Sequence, residues 1–152
     1  MIPTTENQDP PPQLTVCPSG DQTVGIRLLD LHNSTEEKTF TIEAWADGLS
    51  ARIDDVIVSV WDKQDLADFF DSLASDFRGW SGERTWLNDD LVLEATFRSG
   101  GHIGVTWVLR PGMFREGTWA AHIVTVFEAG AEMKALAAEL REFLHHVPFR
   151  QI

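Results

Sequence analysis

His102 and His122 are the side chains of this sequence whose type and placement make them the first candidates for catalytic residues. Both fall in segments that alternate like β-strands, so they could be neighbours across a ladder. An enzyme would then need a pocket assembled from scattered residues such as these two and Glu94, because acid–base catalysis requires groups that converge on one cleft. We keep this orphan enzyme as one hypothesis.

The other reactive residues favour structural roles. His145 and His146 are adjacent on a predicted helix, so their side chains diverge by about 100° and do not readily share one metal ion. Cys17 has no positioned base in view. Asp54-Asp55 and Asp89-Asp90 are consecutive strand residues, which point to opposite faces. With no phosphate loop, nucleotide motif or nucleophile elbow, the sequence predicts no catalytic residue, cofactor or metal.

Charge says more about partners than these motifs do. The 152 residues include 24 acidic and 12 basic side chains, a formal net charge of -12. Nucleic acids and anionic membranes are bound by clusters of Lys and Arg, which are missing here, so we expect neither as a partner. A basic protein would be attracted, although acidity can also serve only solubility. One cysteine and an N-terminus unlike a secretory signal predict a cytoplasmic protein.

The chain divides into a proline-rich arm, residues 1–20, and a single α+β domain, residues 21–152. The arm is expected to be disordered or loosely docked. Three alternating segments then predict antiparallel strands, with a hairpin at Asp47-Gly48: TVGIRLLDL, KTFTIEAWA and ARIDDVIVSV. Asp62 is the predicted cap of a first helix, with Trp61 and Leu66 as its hydrophobic staple, and the helical spacing runs to Phe77.

The second half repeats this plan. Its three strands are DLVLEATFR, HIGVTWVLR and TWAAHIVTVF, and residues 130–147 form an amphipathic helix. The strand-to-helix junctions, IVSVWD and IVTVFE, match in chemical type at all six positions. Two explanations are open: an old duplication, or the same local requirements of a strand that leads into a helix, met independently in each half. The sequence predicts βββα twice, as one antiparallel sheet of about six to seven strands with both helices packed on one face.

The halves are joined by DFRGWSGERTW, residues 76–86. We expect a connection rather than a binding site, because large aromatic side chains are mostly buried. Trp80 should fold back onto the first helix and Trp86 should begin the core face of the next strand. Arg78 and Arg84 should pair with nearby acids.

One exposed surface is predicted to bind a partner. If the strands pair in sequence order, the sheet face away from the helices carries polar residues around Trp45. A tryptophan surrounded by acids would anchor a basic protein, although the arm or a loop could equally cover it. The candidate partner-binding residues are Thr41, Glu43, Trp45, Glu94 and Thr96.

The sequence resembles a family of uncharacterised bacterial small proteins of unknown function. The likeness spans roughly residues 22–145 and is carried by FFDSLASDFRGWSGERTW, LVLEATF, GHIGVTWVL and TVFEAGAEMKALAAELREFL. The layout is also similar to that of WapI-type immunity proteins, which neutralise toxins. The resemblance implies binding and brings no catalytic residues. The leading hypothesis is therefore a non-catalytic binding protein, in its most specific form an immunity protein against a basic toxin. The alternatives are an adaptor that self-associates through a sheet edge and the orphan enzyme.

Overall fold

The computed structural model describes residues 11–59, 62–112 and 119–145, and within them the chain forms eight strands and two helices. The α+β class, the antiparallel pairing and the two helices are confirmed. The strands are β1 Gln13–Val16, β2 Gly25–Asn33, β3 Glu37–Ala46, β4 Leu49–Ser59, β5 Glu83–Leu87, β6 Leu91–Arg98, β7 His102–Leu109 and β8 Ala121–Glu128; the helices are α1 Leu66–Ser75 and α2 Ala131–Leu144.

The prediction of one sheet is wrong, because the strands form two four-stranded antiparallel sheets. Sheet 1 has the order β1-β2-β3-β4 and sheet 2 the order β5-β6-β7-β8. Each is a meander in which neighbours in sequence are neighbours in space. The alternation along a strand is the same in one sheet or two, so the sequence pattern did not distinguish them.

Part of the predicted arm belongs to sheet 1. Leu14 and Val16 are buried and β1 pairs with β2, while Pro18–Gly20 form a short 3-10 helix. Residues 1–10 lie outside the described part of the chain. The proline-rich composition around β1 concealed this edge strand, since only two apolar residues mark its buried face.

Helix α1 begins three residues later than predicted. Asp65, not Asp62, caps it, and its carboxylate accepts a hydrogen bond from the Ala67 amide at 3.0 Å. Asp62 instead accepts from the Ser59 amide at 3.1 Å, and Trp61 of the proposed staple lies outside the described residues. The helix ends at Ser75, so Phe77 lies beyond it and is exposed.

The two halves are interlocked by their helices. Phe70 of α1 stacks on Trp107 of sheet 2 at 5.6 Å between ring centroids, whereas Phe143 of α2 packs edge-on against Phe40 of sheet 1 at 6.2 Å. Each helix thus packs an aromatic ring on the sheet of the other half. Both sheets and both helices consequently share one continuous hydrophobic core.

The connection between the halves is structural, as predicted, but Trp80 packs elsewhere. Its ring meets Phe97 of β6 at 5.5 Å rather than folding onto α1, and the Arg84 guanidinium covers it at 4.3 Å. Arg84 also pairs with Asp76 at 2.7 Å, which confirms its predicted acidic partner. Trp86 is buried on β5, as expected.

The topology repeats as ββββα twice, yet the similar junctions are not equivalent. Ile57 is exposed and Val58 buried, whereas the matching Ile123 is buried and Val124 exposed. A bulge on β4 explains the inversion: the register with β3 shifts, and Asp55 takes a φ of 57°. The match between IVSVWD and IVTVFE therefore aligns positions that face opposite sides of their sheets.

Among the residues that the structure describes, neither helix is long and apolar enough to cross a membrane.

Candidate functional site

The five predicted partner-binding residues fall on two separate sheets. Thr41, Glu43 and Trp45 lie on β3 of sheet 1, whereas Glu94 and Thr96 lie on β6 of sheet 2. They do not form the single surface that pairing in sequence order implied. The two faces that point away from the core differ in chemistry, and each is described in turn.

Thr41 is not available to a partner. The register shifts beside it on both neighbouring strands, and the residue is only 4% exposed. Its hydroxyl donates to an Asp54 carboxylate oxygen at 3.2 Å. Thr41 was expected to be exposed from the alternation along β3 alone, whereas the bulges that surround it lie on the neighbouring strands β2 and β4.

Glu43 belongs to a balanced ion-pair network. Its carboxylate lies 3.1 Å from Arg27 and 2.7 Å from Arg52, and Arg52 also reaches Asp54 at 3.0 Å. The hydrogen bond that Arg52 donates to Asp54, with a further contribution from Glu43, raises the pKa of Arg52. Two arginines thus neutralise two carboxylates, so the predicted ring of acids around Trp45 does not offer a negative surface.

Trp45 is held by its own sheet. Its indole nitrogen donates to the Gln22 carbonyl at 3.0 Å, and the Arg27 guanidinium lies 4.9 Å from the ring centroid. Gly25 is its direct partner on β2, where a Cβ would come within 2.4 Å of the ring. The half-buried indole is held mainly by its neighbours on β2, whereas the alternative to an exposed anchor had the arm or a loop cover it.

The outer face of sheet 2 mixes aliphatic and polar side chains, whereas that of sheet 1 carries the ion-pair network. One row across its strands reads Leu87, Val92, Val108 and His122, and the next reads Thr85, Glu94, Thr106 and Val124. Leu87 is 52% exposed and Val124 is 47% exposed. We call this surface the sheet 2 face, and it consists of Thr85, Leu87, Val92, Glu94, Thr96, Thr106, His122, Val124 and Val126 around the buried Val108.

The charges of the sheet 2 face are less balanced than those of sheet 1. Within the described part of the chain, no side-chain hydrogen bond or ion pair engages Glu94, nor Glu83 at the adjoining edge. Arg98 lies flat over Gly104, where a Cβ would meet its Nε at 2.6 Å. Sequence reasoning missed the apolar residues, although valine at the outward positions 124 and 126 of β8 was the available signal.

The two histidines of the enzyme hypothesis are far apart. His102 lies opposite Glu128, and His122 lies opposite Val108, so the pair occupies opposite ends of the β7–β8 ladder. Six residues of strand separate these positions, which corresponds to about 20 Å. They cannot act on one substrate atom, and the expectation that they are neighbours is wrong.

A small polar pocket of about 170 Å³ lies elsewhere, where α2 ends beside the start of α1. Asp65 and His145 line it, with 3.9 Å between the carboxylate and the imidazole nitrogen. Because the other Asp65 oxygen caps α1, the carboxylate already has a structural task. Across the described ranges, no group of three or more His, Cys, Asp and Glu side chains is placed to hold a metal ion.

In the described part of the chain, these observations show an α+β protein with two interlocked ββββα units and an open, partly apolar face on sheet 2. The chain belongs to a family of unknown function, DUF6228, whose family model matches residues 17–147. The resemblance to a family of unknown function is confirmed at that level. No curated protein and no solved structure matches the chain.

Proposed function

We propose that this protein is a non-catalytic binding module for a basic protein and that the sheet 2 face is its contact surface. The observation that carries the proposal is the exposure of Leu87 and Val124, on the two edge strands of sheet 2, on the same face as the unpaired Glu94. Interfaces combine an apolar centre with polar groups around it, and exposed aliphatic side chains on a sheet supply such a centre. Glu94 and Thr96, two of the five candidate residues, remain part of this surface.

The charge of the chain supports a basic partner. Its formal net charge is -12, and the paired arginines of sheet 1 leave the outer face of that sheet nearly neutral. Glu83 and Glu94 are free to pair with lysine or arginine of a partner. Opposite charges speed association and select the partner, so binding should weaken as salt increases.

The positions of His102 and His122 argue against catalysis by this pair and therefore favour a binding role. Their separation along the β7–β8 ladder removes the convergence that acid–base chemistry needs. No specific observation favours the enzyme, and we keep non-catalytic binding as the proposal.

In its most specific form, the proposal is an immunity protein that acts in the cytoplasm and blocks a basic toxin. It rests on the layout similar to that of WapI-type immunity proteins and on the net charge. A toxin with a basic active site would be covered by an acidic, partly apolar surface. Nucleic acids and membranes are not partners in this proposal, since both would be repelled.

The test is capture of a partner from the native cell's extract at low and high salt, with matched variants. Val124→Asp places a charge at an exposed aliphatic position of the sheet 2 face, on its edge strand β8. Ile57→Asp is its control, because Ile57 is 46% exposed on the outer face of sheet 1. The proposal expects one basic protein, in stoichiometric amount, that wild type and Ile57→Asp retain and Val124→Asp loses. High salt should release it.

Two results contradict the proposal. A stoichiometric partner lost equally from both aspartate variants would place the contact elsewhere. If the purified protein turns over a small molecule and this activity depends on His102 or His122, the enzyme hypothesis is supported instead. Unfolding curves for both variants establish that lost binding is not lost folding.

A further inference from the structure

A groove between the two helices lies on a surface that the proposed function does not use. α1 and α2 run antiparallel, since Asp68 and Asp71 of α1 both pair with Arg141, while Phe77 just beyond α1 lies beside Gly130 and Lys134. The groove is about 1090 Å³, open to solvent and mostly apolar. Phe77 is 51% exposed in it, an unusual position for a phenylalanine.

The charges along this groove fall into two groups. Arg141 is neutralised by Asp68 and Asp71, at 2.6 Å from the first. Lys134 and Glu142 are exposed, and no side-chain hydrogen bond or ion pair joins either to another described residue. One free cation and one free anion thus flank the groove on the same helix.

The spacing of these two charges is self-complementary. Lys134 and Glu142 lie four residues before and four residues after Ala138, about 6 Å from it in each direction. When two antiparallel copies of α2 cross at Ala138, Lys134 of each copy meets Glu142 of the other. The small side chain at the crossing permits close approach, and a two-fold axis makes both ion pairs at once.

We propose that this groove binds a second copy of the chain, in a two-fold dimer centred on Ala138. Phe77 of each copy contributes apolar area to the contact, and the two Lys134–Glu142 pairs fix the antiparallel direction. The two cations that line this surface, Lys134 and Arg141, are matched by the anions Asp71 and Glu142, so it offers a basic partner no net negative charge. The dimer does not rest on the proposed function, since the sheet 2 face lies on strands and remains free.

Sedimentation equilibrium of the full-length protein at low salt tests the proposal with single and paired charge reversals. Wild type should dimerise. Lys134→Glu alone and Glu142→Lys alone should each raise the dissociation constant about tenfold or more, because two attractive pairs become repulsive. An equimolar mixture of the two variants should dimerise again, since each copy then supplies the charge that the other lacks. The double variant should dimerise alone.

Glu139→Lys is the matched control. It makes the same change of charge on the same helix, but Glu139 lines the side next to β1 and not the groove. It should leave the dimer intact, and helical circular dichroism should be unchanged in every variant. A wild type that stays monomeric at the highest concentration reached overturns the proposal. So does a dimer that Lys134→Glu does not weaken, or a mixture of the two reversals that stays monomeric.

Discussion

The indole ring of Trp45 occupies the space that Gly25 leaves open on the neighbouring strand. The two residues are direct partners across β2 and β3, and a Cβ at residue 25 would lie 2.4 Å from the ring. An aromatic side chain that covers a glycine restores the apolar contact that the glycine lacks. The tryptophan that the sequence offered as a binding anchor is therefore a structural part of sheet 1.

Gly25→Ala should destabilise the fold by about 1–3 kcal/mol, because the added methyl group forces the Trp45 ring out of its position. The measurement is the free energy of unfolding in urea, with tryptophan fluorescence to follow the ring. In a Trp45→Ala background the same substitution should cost much less, since the clash is gone. Equal costs in the two backgrounds would show that the ring does not set the requirement for glycine.

Asn88 links the two sheets through a buried side chain. Its amide nitrogen donates to the Ile57 carbonyl of β4 at 2.8 Å, and its oxygen accepts from the Asp90 and Leu91 amides. Asn88→Asp keeps the two accepted bonds but sets a carboxylate oxygen against the Ile57 carbonyl. At neutral pH we expect a loss of about 1–3 kcal/mol in the free energy of unfolding. Asn88→Ala, which removes all three bonds, should cost at least as much in the same urea titration.

Thr125 satisfies the buried indole of Trp107. Its hydroxyl accepts from Trp107 Nε1 at 2.8 Å and donates to the Val105 carbonyl at 3.1 Å. Thr125→Val should cost about 1–3 kcal/mol in the free energy of unfolding, because the similar shape keeps the packing while a buried donor loses its partner. In a Trp107→Phe background the cost should fall, as no indole donor remains. A cost that does not fall would mean that the bond to Val105 dominates.

Glu128 makes the stability of α2 depend on pH. Its carboxylate accepts hydrogen bonds from the Glu132 and Gly130 amides, and these bonds lower the pKa of Glu128 below its ordinary value of 4.5. A lowered carboxyl pKa in the folded state means that the stabilisation is complete above the unfolded value. This stabilisation is lost as the pH falls through the pKa of Glu128 in the folded state. Glu128→Gln should therefore be less stable at neutral pH and lose less stability between pH 4.5 and strongly acidic conditions.

Unfolding curves collected across that pH range check this prediction. Glu139→Gln is the control, since it removes an exposed carboxylate of α2 that no described residue hydrogen-bonds. Its pH dependence should follow that of wild type. If Glu128→Gln also follows wild type, the bonds to the start of α2 do not contribute to acid stability.

The sequence predicted the buried faces of the second half well. Ile103, Val105, Trp107 and Leu109 alternate without interruption and are all buried on β7. In sheet 1 the same reasoning failed at Thr41, which lies between bulges on both neighbouring strands. Of the candidate partner-binding residues, Glu94 and Thr96 lie on the open sheet 2 face, whereas Glu43 and Trp45 are engaged within sheet 1; partner binding itself stays a prediction.

The sequence by itself determined the features that depend on neighbours along the chain. These are the alternation of the strands, the apolar stripe of α2, the glycine turn after Asp47 and the excess of acid. Only the tertiary structure decided which strands share a sheet, that each helix packs on the other half, and that Glu43 meets two arginines. Those outcomes depend on contacts between residues distant in sequence, and many arrangements of the chain satisfy the same local pattern.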